Sequence, residues 1–131
     1  MFVKGRLAAA RYRCATRNRD RSSQMQHAHS DVSILVVRYN TCALTRAALD
    51  SVLAETKDVS YEVIAVDNAS VDGSADMIAA HPLRSQFIRL NENIGFAQAN
   101  NVAARRARGR YILLLNPDTL VLDRAIDKLV A

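Results

Sequence analysis

The stretch that decides the fold is LLLNPDTLVL, residues 113–122. An apolar run, Tyr111 to Leu115, stops abruptly at an amide, a ring that donates no hydrogen bond and a carboxylate: Asn116, Pro117, Asp118. Continuous apolar strands of this kind belong in a parallel sheet covered on both faces, where no side chain meets water. Polar residues at the carboxyl end of such a strand stand at the edge where open α/β sheets bind ligands.

Working outward, the same rhythm repeats. Val32–Val37, Tyr61–Val66, Gln86–Leu90 and Arg110–Leu115 read as four strands. Between and after them, four helices are predicted. Thr41–Glu55 has Leu44, Ala48, Leu49, Val52 and Leu53 spaced for one face. Ser74–Ala80 is stopped by Pro82. Gly95–Arg108 is Ala-rich, with Gly109 as its C-terminal cap and Arg105, Arg106 and Arg108 suited to the negative end of the helix dipole. The last helix is capped by Asp123 and carries Ile126, Leu129 and Val130 on one face. Alternating strands and helices imply a Rossmann-like α/β fold, a mostly parallel sheet with helices on both faces and right-handed crossovers.

The chain has 131 residues and a formal net charge of +5, unevenly spread. Residues 1–30 hold seven basic residues and one acidic one, whereas residues 31–131 hold eleven and twelve. The first segment is expected to be a disordered basic tail, solvated and without function, with contact to anionic lipid or a transit segment as the alternatives, and the second a single domain. A start at Met25 would remove most of the basic stretch. A nearly neutral domain argues against nucleic acid as a partner. Cys14 and Cys42 have neither metal-like nor disulfide-like spacing and read as free thiols of a cytoplasmic protein. His27 and His29 lack the further ligands a metal needs. The apolar runs are too short to span a bilayer, although a peripheral membrane contact stays open.

Every strand is followed by a polar cluster: Tyr39-Asn40, Asp67-Asn68 through Ser74, Asn91 through Gly95, and Asn116-Pro117-Asp118. Taken singly, each is ordinary turn chemistry. Taken together, four loops converge on one edge. The turn after the first strand has no glycine, which excludes a dinucleotide fingerprint, and no P-loop or G-x-S-x-G motif occurs. His81, the only histidine past residue 29, is expected at a surface helix end, away from any proton relay. A carboxylate beside an amide and the Thr119 hydroxyl suits a hard divalent cation that also holds phosphate oxygens. Asp67 can accept a hydrogen bond from a base N–H. The combination reads as a nucleoside diphosphate with a metal.

The segments VSILVVRYN (32–40), YEVIAVDNASVDGS (61–74), NENIGFAQANN (91–101) and GRYILLLNPDT (109–119) resemble the family 2 glycosyltransferases, in particular their rhamnosyltransferase-like branch. The resemblance runs over residues 32–131. It implies the N-terminal, nucleotide-sugar-binding half of a GT-A fold with strand order 3-2-1-4, and transfer of a sugar from a nucleotide diphosphate-sugar donor with inversion, as in polysaccharide biosynthesis. It maps base contact to Asp67 and the metal- and ribose-holding motif to Asn116-Pro117-Asp118. Asn116 then sits toward the ribose, and Asp118 binds Mg or Mn through the diphosphate. Tyr39, Asn40, Asn68, Asn93, Gly95 and Asn101 line the nucleotide and sugar. The acceptor is a saccharide or a lipid-linked one, at the cytoplasmic side of a membrane.

Two features depart from the family pattern. Arg38 stands where a small polar residue usually precedes Tyr-Asn, and either attracts phosphate or crowds the site. The acceptor-binding half and its general base do not follow Asp118 here; Asp123 and Asp127 sit in a helix and are poor candidates. The expectation is a donor-binding portion truncated at its C-terminus, with its fourth strand an open edge and no useful transfer on its own. The alternative is a non-catalytic nucleotide-binding fragment, and a third reading is a remnant that does not fold.

Overall fold

A computed structural model describes residues 8–10, 29–83 and 86–131. In chain order the elements are β1 (Ala8–Ala10), β2 (Val32–Arg38), α1 (Cys42–Glu55), β3 (Tyr61–Asp67), α2 (Ser74–Ala80), β4 (Gln86–Arg89), α3 (Phe96–Ala104), β5 (Tyr111–Leu114) and α4 (Ala125–Val130). They build one sheet in the order β1-β5-β2-β3-β4. The four strands β4-β3-β2-β5 run parallel and reproduce the expected 3-2-1-4 order.

β2 lies at the centre, and all seven of its residues are buried. Its even-numbered apolar side chains, Val32, Ile34 and Val36, join Leu49 and Val52 of α1, Ile78 of α2 and Ile126 of α4 in one core. Its odd-numbered ones, Leu35 and Val37, join Ile64, Val66 and the α3 residues Ala99 and Ala103 in the other. Alternation along a strand thus feeds two cores, which is why the sequence shows no polar face.

Several local expectations are corrected. The tail is not wholly irregular: Ala8–Ala10 pairs antiparallel with β5, Ala8 opposite Leu114 and Ala10 opposite Ile112. The reason is that a parallel edge strand offers unpaired N–H and C=O groups, and three small residues satisfy them. β5 is therefore not an open edge. The expectations for Cys14, Met25 and His27 fall outside the described residues. α3 ends at Ala104, before the arginines, and Gly109 does not cap it. A Cβ on Gly109 would lie 2.4 Å from the Ser33 backbone nitrogen, so glycine is needed for close approach to β2. On α1, Leu44 and Leu53 are exposed, and the inward face is Thr45, Ala48, Leu49 and Val52.

At the last helix, Asp123 and Arg124 both adopt positive φ, and no side chain caps α4. Leu129 is exposed, whereas Asp127 is buried. Asp127 instead ties α4 to the α1–β3 loop: its Oδ1 accepts from the Asp58 and Val59 N–H groups, and its Oδ2 from Lys57 N–H and Arg124 Nε, all within 3.1 Å. Burial works to raise this carboxyl, but the three N–H donors and Arg124 outweigh it and bring it down to about 2. His81 is 8% exposed rather than a surface residue. Its Nε2 lies 2.7 Å from Asp50 Oδ1, and its Nδ1 accepts from Leu83 N–H.

Candidate functional site

The carboxyl ends of β2, β3 and β4 place Arg38, Asp67 and Arg89 in one row, each the register partner of the next. Strand alternation turns all three toward the α1–α2 face of the sheet. Asp67 is fully buried and Arg38 is 1% exposed. The Arg38 Nη2 lies 3.3 Å from Asp67 Oδ1 and 3.5 Å from Asp72 Oδ1, and donates to Ser70 Oγ at 2.9 Å. Burial lowers the Arg38 pKa, and the facing carboxylates of Asp67 and Asp72 work against that shift. The guanidinium stays charged, because even a large downward shift leaves arginine protonated at neutral pH.

This buried ion pair organises the loops above it. Ser70 Oγ also accepts from Asn40 N–H, and Asn40 Oδ1 accepts from Val71 N–H. Asp72 accepts from the Cys42 N–H at the start of α1, meeting one of the donors that a helix leaves free at its N-terminus. The Ser74 hydroxyl bonds the same carboxylate and is the main reason its pKa is lowered, with burial opposing. On the next loop, Asn68 Nδ2 donates to Asn93 Oδ1, which also accepts from Gly95 N–H. Asn68 Oδ1 accepts from Ile94 N–H. The amides of Asn40, Asn68 and Asn93 thus tie loops to one another.

β5 carries the other arm of the site. The ladder runs one residue past the strand, Leu115 N–H donating to Leu35 C=O, and then opens. Asn116 C=O accepts from Thr119 N–H, closing a turn that leaves Asn116 and Asp118 exposed. Thr119 is buried, and its Oγ1 has no hydrogen-bond partner. Among the described residues no group of three His, Cys, Asp or Glu side chains is close enough to enclose a metal ion. A lone exposed carboxylate still fits a Mg or Mn ion whose other ligands are phosphate oxygens and water.

The nine residues expected from the sequence fall in three places. Tyr39, Asn40, Asp67, Asn68, Asn93 and Gly95 gather at the ends of β2, β3 and β4, with Tyr39 half exposed at the rim. Asn116 and Asp118 stand beyond β5, next to β2 on its other side. Asn101 is apart from both. It lines a cavity of about 500 Å³ on the α3 face, with Leu35, Ala104, Arg105, Ile112 and Leu114. Arg89 was not among the expected residues. Its only signal is a charge ending the strand QFIR, the same signal that Arg38 gives at the end of VSILVVR.

Carboxylates and amides thus gather beyond the central strands of an open, mostly parallel α/β sheet, the edge where such sheets bind ligands. The chain belongs to Glycosyl transferase family 2, which matches residues 33–131. It is 34% identical over 101 residues to the succinoglycan biosynthesis protein ExoO of Rhizobium meliloti, covering 76% of this chain and 29% of that protein. It is 34% identical over 90 residues to TuaG of Bacillus subtilis, a putative teichuronic acid biosynthesis glycosyltransferase by name, covering 66% and 35%. Among solved structures it resembles S. aureus TarS 1-349 in complex with UDP (TM-score 0.68, 25% identity, 76% of this chain and 30% of that one). It also resembles the mannosyltransferase PcManGT of Pyrobaculum calidifontis in complex with GDP-Man and Mn2+ (TM-score 0.67, 30% identity, 79% and 31%). The chain thus spans about a third of the length of the proteins it matches.

Proposed function

We propose that this chain is the donor-binding portion of a glycosyltransferase that moves a hexosyl or rhamnosyl group from a nucleotide diphosphate-sugar to a saccharide or lipid-linked acceptor, with inversion and with help from a divalent cation. The observation that carries this reading is the placement of two carboxylates on one sheet edge. Asp67 ends β3 and Asp118 follows β5, with β2 between them. The strands that carry them, β3 and β5, lie two strand spacings apart, about 10 Å, the scale of a nucleoside between its base edge and its diphosphate.

In this reading Asp67 accepts from the base, Asn116 faces the ribose, and Asp118 holds Mg or Mn. Bound there, the metal would supply Lewis-acid stabilisation of the departing diphosphate. Thr119 Oγ1, buried without a partner, adds a hydroxyl beside the same turn. Asp127 is not the general base, because both of its oxygens are consumed by α4 and the α1–β3 loop. The polysaccharide pathways named for the relatives suggest cell-surface polysaccharide as the product, made at the cytoplasmic face of a membrane. No helix of the described residues is long and apolar enough to cross one. The two structural neighbours carry different bases, so the base is not transferred from them.

The test is calorimetric titration of wild type and Asp118→Ala with nucleoside mono- and diphosphates, with Mn and with chelator. Diphosphate affinity is expected to depend on Mn in the wild type and to fall about tenfold or more in Asp118→Ala, since charge-assisted contacts are the strong ones. Monophosphate binding and the thermal midpoint should change little. Equal Mn-dependent diphosphate affinity in both proteins would remove Asp118 from the site.

A further inference from the structure

We propose that the segment Arg105–Arg110, with the cavity beside it, is a docking surface for a membrane of anionic phospholipid; this goes beyond the nucleotide-sugar reading and does not rest on it. Arg105, Arg106, Arg108 and Arg110 are all exposed. Backbone contacts hold the segment across the amino ends of the strands. Arg108 N–H donates to Glu62 Oε1 at the start of β3, Gly109 N–H to Ser33 Oγ, and Arg110 N–H to Ser30 C=O just before β2. Among the described residues no ion pair reaches any of the four arginines. Arg110 lies over the Tyr111 ring, 5.5 Å from its centre, a contact that leaves its charge in place. The carboxylates at this edge have other partners. Asp31 Oδ2 accepts from the Ser60 N–H and hydroxyl, and Glu62 accepts from Ser33 Oγ, Gln86 Nε2 and Arg108 N–H. The Asp31 carboxyl is held below the usual range by Ser60 first and by Arg110 least. Beyond the described residues the sequence has eight basic residues and one acidic one, Asp20, which can offset at most one of the four charges.

This segment is not part of a generally basic surface. Apart from its four arginines, residues 31–131 hold seven basic residues against twelve acidic ones. Positive charge is thus concentrated at one edge of the sheet, while Asp67, Asp72 and Asp118 stand at or beyond the carboxyl ends of the strands. The seven residues of β2 put about 20 Å between the two edges, so a membrane against one leaves the other open. Arg105 also lines the cavity of about 500 Å³ on the α3 face, whose apolar wall is Leu35, Ala104, Ile112 and Leu114. That volume is within the range of ordinary ligand pockets. A guanidinium beside an apolar wall matches an amphiphile, with its phosphate on the arginine and its chain against the leucines and isoleucine. Binding to a lipid interface adds the same two contributions, apolar burial and attraction to anionic headgroups. A nucleic acid would use the arginines and leave the apolar wall idle.

The experiment is co-sedimentation of the purified full chain with vesicles of phosphatidylcholine alone or with equimolar phosphatidylglycerol. Wild type is compared with a variant combining Arg105→Gln, Arg106→Gln, Arg108→Gln and Arg110→Gln, and with one carrying Lys at the same four positions. The N-terminal segment is the same in all three proteins, so differences report on residues 105–110. Wild type is expected on the phosphatidylglycerol vesicles and not on phosphatidylcholine alone. Each arginine near an anionic leaflet multiplies partitioning about fivefold, so the glutamine variant should partition about thirtyfold or more weakly, with its thermal midpoint unchanged. The lysine variant, which keeps the charge, should stay within about threefold of wild type. Soluble dihexanoyl-phosphatidylglycerol should bind about tenfold or more tightly than glycerol 3-phosphate, because only the lipid fills the apolar wall. A glutamine variant that partitions as wild type does would overturn the proposal, as would a lysine variant that loses binding with it. So would glycerol 3-phosphate binding as well as the lipid, or a DNA duplex binding wild type as tightly as the vesicles do.

Discussion

Replacing Arg38 with methionine is the sharpest test of how the site is built. Methionine keeps most of the length and apolar stem but removes the charge and all donors. Asp67, fully buried, then keeps only the Ser70 N–H at 3.2 Å on Oδ1. Breaking a buried ion pair from one side costs about 3–5 kcal/mol. Two features of this site favour the lower end. Arg89 Nε, 4.0 Å from Oδ2, shifts a positive charge toward the carboxylate, although it is screened by exposure. The variant also removes two buried donors that had no partner. An expected loss of about 3 kcal/mol is a large part of the roughly 5–15 kcal/mol that holds a domain together. Urea unfolding would read it as a fall in midpoint of about 2 M at a slope near 1.5 kcal/mol/M. The double variant Arg38→Met/Asp67→Asn should regain about half of the loss or more, because no charge is left buried. A single-variant loss below about 1 kcal/mol, or a double variant no more stable than the single, would refute the view that Arg38 serves to pair the buried Asp67 side chain.

Other outcomes follow from the same contacts. Asp127 is held down at about 2, against about 3.9 in an unfolded chain, so its contribution is present above pH 4 and is lost as pH falls toward 2. Asp127→Asn should be less stable at pH 7, with an amide nitrogen forced against one of its donors, and should flatten the dependence of the urea midpoint on pH between about 4 and 2; an unaltered acid limb would show that other carboxyls carry it. Gly109→Ala should cost about 1–3 kcal/mol, because the new methyl meets Ser33 backbone. A thermal midpoint within error of wild type would mean that the β2 contact gives way freely.

Much of the fold was legible because parallel sheets write themselves into sequence. Strands covered on both faces are apolar at nearly every position, so VSILVV, YEVIAV and YILLL declare themselves, whereas the order β4-β3-β2-β5 was implied by the resemblance to family 2 glycosyltransferases. The polar loops were legible for the same reason: against such strands, any amide or carboxylate marks the edge. Capping and burial at α3, α4 and His81 were not. Ala-rich periodicity continued past Ala104, but the chain must turn there so that Gly109 reaches Ser33, a contact 76 residues apart in sequence. Leu129 and Asp127 exchange the expected inside and outside because three backbone N–H groups from a distant loop converge on the carboxylate. Likewise, the sequence determined that Asp67 and Arg38 end adjacent strands. Only the tertiary structure decided that they face one side, saturate each other at Nη2 and Oδ1, and leave Nε, Nη1 and Oδ2 unused. Period and composition fix what each strand contributes, whereas the pairing of buried polar atoms depends on register across strands, and on loops that local sequence does not encode.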